Sequence, residues 1–87
     1  MPTVRGFSVT VGTTPVALAS NGATDPQLIV SVQNPGSGGI LYAGGSNVVA
    51  GQGFAIASNG TLTATVAGGR LYGVSQASQT VTGFEVI

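Results

Sequence analysis

The sequence predicts an all-β protein, a small antiparallel β-sandwich or barrel of about seven to eight short strands. Apolar and polar residues alternate with period two in several segments, and no segment has a helical period. Gly- and Asn-rich turn sequences separate these segments at short intervals. Hydrophobic residues make up 43% of the chain, more than disordered segments contain. We therefore expect residues 1–87 to form a single β domain.

The first strand is expected in the segment GFSVTVG, residues 6–12. One face of this strand carries Phe7, Val9 and Val11, and the hydroxyl side chains between them share the other face. Residues 1–6 precede the alternating pattern, and we interpret them as an extended N-terminal arm. In this interpretation Arg5 reaches a neighbouring molecule.

The segment PQLIVSVQN, residues 26–34, is apolar on nearly both faces, which is typical of a central, well-covered strand. The other strand candidates are PVALAS (15–20), GILYAG (39–44), GFAIAS (53–58), TLTATVA (61–67), RLYGVSQ (70–76) and QTVTGFEVI (79–87). The turn signals between them are Asn21-Gly22, Asn34-Pro35-Gly36, Gly44-Gly45, Asn59-Gly60 and Gly68-Gly69.

One hairpin is predicted from its register. Pairing GFAIAS with TLTAT through the loop 58–60 places Ile56 opposite Leu62 and collects the apolar residues on one face. In that hairpin Gly60 takes the left-handed conformation of a bulge.

The last segment changes phase. Its apolar alternation begins at Val81, fails at Gly83 and resumes one residue out of step at Phe84 and Val86. A bulge at Gly83 restores a single apolar face and turns Glu85 outward. The strand pattern continues to Ile87, so we expect this end of the chain to be tied into the sheet.

Charge is nearly absent. The charged residues are Arg5, Arg70, Asp25 and Glu85, so they make up 5% of the chain and the net charge is zero. An average soluble domain carries about 25% charged residues. Nucleic-acid and membrane-surface binding need clustered Lys and Arg, so neither is an expected partner. A domain this small and neutral is instead expected to associate with copies of itself or with a larger body.

The residue types that most enzymes need are also missing. The chain has no Cys and no His, and a Ser nucleophile has neither His nor Lys as a base. The Gly-rich segments lack the Lys of a phosphate-binding loop. We therefore expect no enzymatic activity, no cofactor and no metal site.

Four residues remain as candidate partner contacts: Arg5, Arg70, Tyr42 and Tyr72. Each has a structural alternative. The arginines can pair with Asp25 or Glu85 at the surface, where an ion pair contributes little. The tyrosines can be half-buried rings with a solvated hydroxyl, which we favour over stacking platforms for sugars.

The segments VTVG, VSVQNPGSGGILYAGG, GFAI, RLYGVS and VTGFEVI, in this order, resemble the small β-rich structural proteins of tailed-bacteriophage virions. The resemblance covers residues 7–87 and implies a capsid decoration (cement) protein on the outer shell. It implies the major capsid protein and copies of the chain itself as partners, in a trimer or another symmetric assembly. It brings no catalytic or ligand-binding residue.

Two alternatives to a non-enzymatic decoration protein stay open on the sequence. One is a tail or fibre module that binds a host surface glycan, with Tyr42 and Tyr72 as stacking platforms. The other is a coat subunit that assembles by itself.

Overall fold

Two four-stranded antiparallel sheets pack on one apolar core in the computed structural model of the chain, which describes residues 3–19, 26–36, 39–49 and 51–87. The strands in this part of the chain are β1 (Val4–Val11), β2 (Val16–Ala17), β3 (Ile29–Gln33), β4 (Leu41–Gly44), β5 (Phe54–Ile56), β6 (Thr61–Thr65), β7 (Tyr72–Ser75) and β8 (Gln79–Val86). Sheet A has the order β1-β8-β3-β6, and sheet B has the order β2-β7-β4-β5. The predicted all-β sandwich is confirmed.

The strand order is that of a jelly roll. Strands β1 to β4 pair with β8 to β5 in reverse sequence, so the chain forms one long antiparallel ribbon. The ribbon is rolled up so that β8 also pairs with β3, and β7 also pairs with β4. This arrangement is the double-sheet solution that eight-stranded all-β domains use to cover their apolar faces.

The period-two alternation correctly predicts which residues face the core. In β1, Phe7 and Val11 are buried, whereas Ser8 and Thr10 are exposed. In β6, the threonines are exposed and Leu62 is half-buried against the core. The buried core cluster is Phe7, Val11, Leu18, Val30, Val32, Leu41, Ala43, Ile56, Leu71 and Val81.

Strand β3 is central, as predicted, but it is covered on only one side. It lies between β8 and β6 in sheet A. Val30 and Val32 are buried on its inner side, whereas Ile29 and Ser31 are only half-buried on the outer side. The preceding Leu28 is 43% exposed. The expectation of a strand covered on both faces is therefore wrong.

The predicted hairpin between β5 and β6 is also wrong. Ile56 pairs with Leu41 of sheet B, and Leu62 pairs with Val32 of sheet A, so the connection crosses from one sheet to the other. In this turn the Gly60 N–H donates to the carbonyl of Ala57 at 2.8 Å. Asn59, not Gly60, has the left-handed conformation, with φ of 64°.

A buried asparagine explains why this turn connects two sheets and does not form a hairpin. The Asn34 side chain donates to the carbonyls of Ile56, at 2.7 Å, and Gly39, at 3.0 Å. Its backbone accepts a hydrogen bond from the Asn59 N–H and donates one to the Gly60 carbonyl. Such long-range bonds to a fully buried side chain outweigh a local register preference. Asn34 therefore holds the turn after β5 against the loop after β3.

Strand β8 has no bulge. Its register is continuous from Gln79 to Val86 against β1, and it is equally regular against β3. Gly83 faces inward, opposite Phe7, where an added Cβ would lie 3.0 Å from the Phe7 ring and would collide with the carbonyl oxygen of Ser31. Glu85 consequently faces inward and is fully buried, and Phe84 faces outward. The predicted bulge and the predicted outward Glu85 are both wrong.

The two ends of sheet A meet. Thr3 and Ile87 exchange two backbone hydrogen bonds, of 3.0 and 2.9 Å, which extend the β1–β8 pairing by one position. The prediction that Ile87 is tied into the sheet is confirmed. Thr3 to Gly6, which fall within the arm expected over residues 1–6, are held in the same pairing. Residues 1 and 2 lie outside the described residues, as does the predicted Asn21-Gly22 turn.

We expect the substitution Gly83→Ala to lower the free energy of unfolding by at least about 2 kcal/mol, because the new methyl group is forced against backbone and against the Phe7 ring. Urea unfolding followed by circular dichroism measures this change. The matched control is Gly12→Ala, which meets no atom within 4 Å and should stay within about 0.5 kcal/mol of the parent. Equal stability of the two variants would contradict the close packing of the Ser31 carbonyl and the Phe7 ring around Gly83.

Candidate interaction surface

Arg5 forms an ion pair inside one end of the sandwich. Its guanidinium lies 3.4 Å from the Glu85 carboxylate, directly across the β1–β8 pair. The Arg5 side chain is 30% exposed, whereas Glu85 is fully buried. This is the ion pair that we considered as the alternative to partner binding, but it is not a surface pair. The other suggested partner, Asp25, lies outside the described residues.

Gln27 connects this ion pair to the backbone of sheet B. Its side-chain NH2 donates to Glu85 at 3.0 Å and to the Leu18 carbonyl at 2.9 Å. Its side-chain oxygen accepts the Leu71 N–H at 3.0 Å. Gln27 is fully buried. A buried amide with these bonds ties the two sheets together, because each lost bond would leave a buried polar group unsatisfied.

A second polar cluster closes the other end of the core. The Gln79 side chain donates to the Ser75 hydroxyl at 2.8 Å and to the Gly39 carbonyl at 3.4 Å. The same carbonyl accepts from Asn34. The apolar core therefore lies between two hydrogen-bonded ends.

Arg70 lies at the same end as Arg5. It is half-buried in the connection between β6 and β7. Its neighbours on both sides are anchored to Gln27: the Gly69 carbonyl accepts the Gln27 N–H, and the Leu71 N–H donates to the Gln27 side chain. The fold thus brings the two arginines, which are 65 positions apart in sequence (70 − 5), to one end of the molecule.

The strand residues on the outer side of sheet A, all of which the structure describes, are uncharged. We call this surface outer face A, and its members are Val4, Gly6, Ser8 and Thr10 of β1, Thr80, Thr82, Phe84 and Val86 of β8, Ile29, Ser31 and Gln33 of β3, and Thr61, Thr63 and Thr65 of β6. Residues directly opposite one another on neighbouring strands have adjacent side chains, and each such set is called a row below.

One end of outer face A is apolar and the rest is rich in hydroxyl groups. The row Val4, Val86, Ile29 and Thr65 ends the sheet, and Val4 is 66% exposed. Phe84 lies in the next row, opposite Gly6, and is 41% exposed. The same row continues with Ser31 and Thr63, where the Thr63 hydroxyl donates to the Ser31 hydroxyl at 3.1 Å. The side chains of the rows beyond are mostly Ser and Thr.

The two tyrosines share the outer side of sheet B. Tyr42 is directly opposite Val74, and Tyr72 is directly opposite Gly44, on neighbouring strands β4 and β7. Both rings are half-buried. Residues related in this diagonal way are close enough for aromatic side chains to reach each other. The register thus brings Tyr42 and Tyr72 to one side of sheet B. Tyr72 directly follows Leu71, whose N–H donates to the Gln27 side chain, so it lies next to the end that holds the Arg5–Glu85 ion pair.

Concave and ligand-binding features are few in the described part of the chain. Neither a cavity nor a group of metal-ligating side chains forms among the described residues. In the same residues no helix is long and apolar enough to cross a membrane. What the described surface offers a partner is sheet faces and sheet edges.

Comparisons of the chain with protein-family models, with curated proteins and with solved structures gave no significant match.

Outer face A was missed by the sequence analysis, although the sequence contains its signal. The phase change at Gly83 was interpreted as a bulge that returns Phe84 and Val86 to the core. The strand instead continues regularly, so the phase change marks two apolar side chains that face outward. An apolar residue on the wrong phase of a regular strand is a signal of an exposed apolar patch.

We expect Arg5→Met to lower the free energy of unfolding by about 2 kcal/mol, because it leaves the buried Glu85 carboxylate without its cation while keeping most of the aliphatic stem. Chemical denaturation of the single variants Arg5→Met and Glu85→Gln and of the double variant measures the coupling. The double variant should lose less than the sum of the two single losses. Strict additivity would show that the ion pair contributes nothing.

Proposed function

We propose that the protein is a non-enzymatic structural protein of a bacteriophage virion, a decoration protein on the capsid surface that stabilises the shell. Its partners are the major capsid protein and copies of itself. The observation that carries the proposal is outer face A, an uncharged sheet face with exposed apolar residues at one end. The likeness of the sequence segments to small virion proteins supports the same function.

An uncharged sheet face is unusual on a domain that stays free in solution. Soluble domains keep exposed apolar patches small and intersperse charges of both signs on their surfaces. On outer face A the exposed side chains are Val, Phe, Thr, Ser and Gln, so a partner meets small hydroxyl groups and apolar area. Docking there buries no charge, and the face is therefore suited to a permanent contact.

Outer face A is small, so firm attachment requires many copies of the same contact. A four-stranded sheet is about 19 Å wide, which gives a face of roughly 400 Å². A stable protein–protein interface buries about 800 Å² on each partner, so one such contact is weak. A symmetric shell repeats the contact, and linked contacts multiply weak affinities into firm attachment. The jelly-roll order adds support by analogy, since viral capsid domains use this architecture.

Purified virions of the phage that encodes the chain test the location. We expect the chain at the outer surface of the shell in cryo-electron microscopy and among the virion proteins in mass spectrometry. Because outer face A has no charges to be screened, we expect the attached amount to stay the same between low salt and half-molar NaCl. Release in half-molar NaCl, or particles that lack the chain, would overturn the proposal. Shells formed by the isolated chain would assign it as a coat subunit instead.

The surface of attachment is tested by Phe84→Thr. The substitution removes the exposed ring and leaves a residue that its strand neighbours already use, so the fold should persist. We expect binding to chain-free particles to weaken by at least about tenfold, as for the loss of a central aromatic contact. The matched control is Val49→Thr, which removes an apolar side chain of similar exposure, 48%, outside outer face A. Equal binding by the two variants would exclude outer face A.

A glycan-binding tail or fibre module is the second candidate, because Tyr42 and Tyr72 lie on one sheet face. In this case glycan arrays probed with the purified protein give a signal that Tyr42→Ala and Tyr72→Ala remove. The variants Tyr42→Phe and Tyr72→Phe keep the rings and should retain stacking. An array without any signal would rule this candidate out.

A further inference from the structure

The two sheets differ in how their edges are built. In sheet B the edge strands are β2, with two residues after Pro15, and β5, with three residues. Very short strands and proline are ordinary ways to keep an edge from pairing with another chain. In sheet A the edge strand β1 has eight residues, contains no proline and is regular throughout. No described residue pairs with its other side.

The register shows which main-chain groups of β1 point to that free edge. Thr3 and Ile87 exchange both of their hydrogen bonds, so they form a hydrogen-bonded pair of the antiparallel ladder. Such pairs alternate with pairs whose groups point away from each other. The N–H and C=O groups of the even-numbered residues of β1 therefore point away from β8: Val4, Gly6, Ser8 and Thr10. These are also the residues of β1 on outer face A.

The one charged residue of β1 does not prevent another strand from pairing with this edge. Arg5 is the one charged residue of the strand, and its side chain lies on the inner side, 3.4 Å from Glu85. The outward residues Val4, Gly6, Ser8 and Thr10 are uncharged and exposed. An edge of this length without an outward charge is a template for strand pairing.

We propose that β1 pairs with β1 of a second copy of the chain, antiparallel, across a twofold axis perpendicular to sheet A. With Gly6 opposite the partner's Ser8 and Val4 opposite the partner's Thr10, the four N–H and four C=O groups of each copy all find partners. The other open edge, β6, directs only Thr61, Thr63 and Thr65 outward, so a β6–β1 contact would leave one β1 residue unpaired. The self-complementary register therefore favours a second copy.

This pairing has two further consequences for the surface. The two Arg5 residues lie four strand positions apart in this register, roughly 13 Å, so they do not oppose each other. Outer face A becomes continuous across eight strands, which doubles the uncharged area that a partner meets. The dimer deepens the self-association in the proposed function, but it concerns the isolated chain and stands if the virion location fails.

Sedimentation velocity over a range of concentrations, with circular dichroism as a check of folding, tests the proposal. We expect the parent chain to sediment as a dimer. Ser8→Pro removes an N–H that points to the free edge and is compatible with an edge strand, so it should weaken the dimer by at least about tenfold while the monomer stays folded. The matched control Thr63→Pro makes the same change on the β6 edge and should leave the dimer intact. A monomeric parent chain, or a dimer lost only in Thr63→Pro, overturns the proposal.

Hydrogen exchange of the parent chain tests the β1–β1 dimer independently, even if the Ser8→Pro variant does not fold. We expect the amides of Val4, Gly6, Ser8 and Thr10 to exchange more slowly as the protein concentration rises, because pairing protects them. The amides of Thr61, Thr63 and Thr65 should exchange quickly at every concentration. Fast exchange along β1 at all concentrations overturns the proposal.

Discussion

The contact between the Phe7 ring and Gly83 sets the phase of β8, and most features of the molecule follow from that phase. The Ser31 carbonyl and the Phe7 ring occupy the place that a side chain would take at position 83, and β8 runs past this point without a bulge. Glu85 is then directed into the sandwich, where Arg5 and Gln27 bind it. Phe84 is directed outward by the same phase. A buried ion pair and an exposed apolar patch thus have one common cause.

The buried polar groups specify how the two sheets of this small domain fit together. Gln27 and Glu85 join the sheets at one end, and Asn34 joins two loops at the other. Each group is costly to bury alone, so the arrangement that satisfies all of them is strongly preferred over shifted registers. Two of the few charged residues of the chain, Arg5 and Glu85, are therefore used inside the fold, whereas the described residues of outer face A are uncharged.

The sequence predicted the strands well because alternation and turn residues act locally. Val9, Val11 and Leu62 were assigned to the correct side of their strands. The errors arose where a residue that is distant in sequence determines the path of a turn or the register of a strand. Asn34 binds the turn after β5 from another part of the chain, and Phe7 fills the space beside Gly83 from the opposite end of the sequence. Outer face A depends on the second of these contacts, so the candidate surface could not be recognised before the strand pairing was known.

The pairing of β1 with β8 also affects the order in which the chain folds. The two strands of this pair are separated by nearly the whole length of the described chain, and Thr3 meets its partner only at Ile87. A nascent polypeptide emerging from the ribosome cannot complete sheet A until β8 has been synthesised. The nested pairs β4–β5, β3–β6 and β2–β7 span shorter loops, so the β1–β8 pair is the most distant contact that folding has to make. Ribosome-bound fragments that lack β8 therefore leave β1 and β3 without the strand that lies between them.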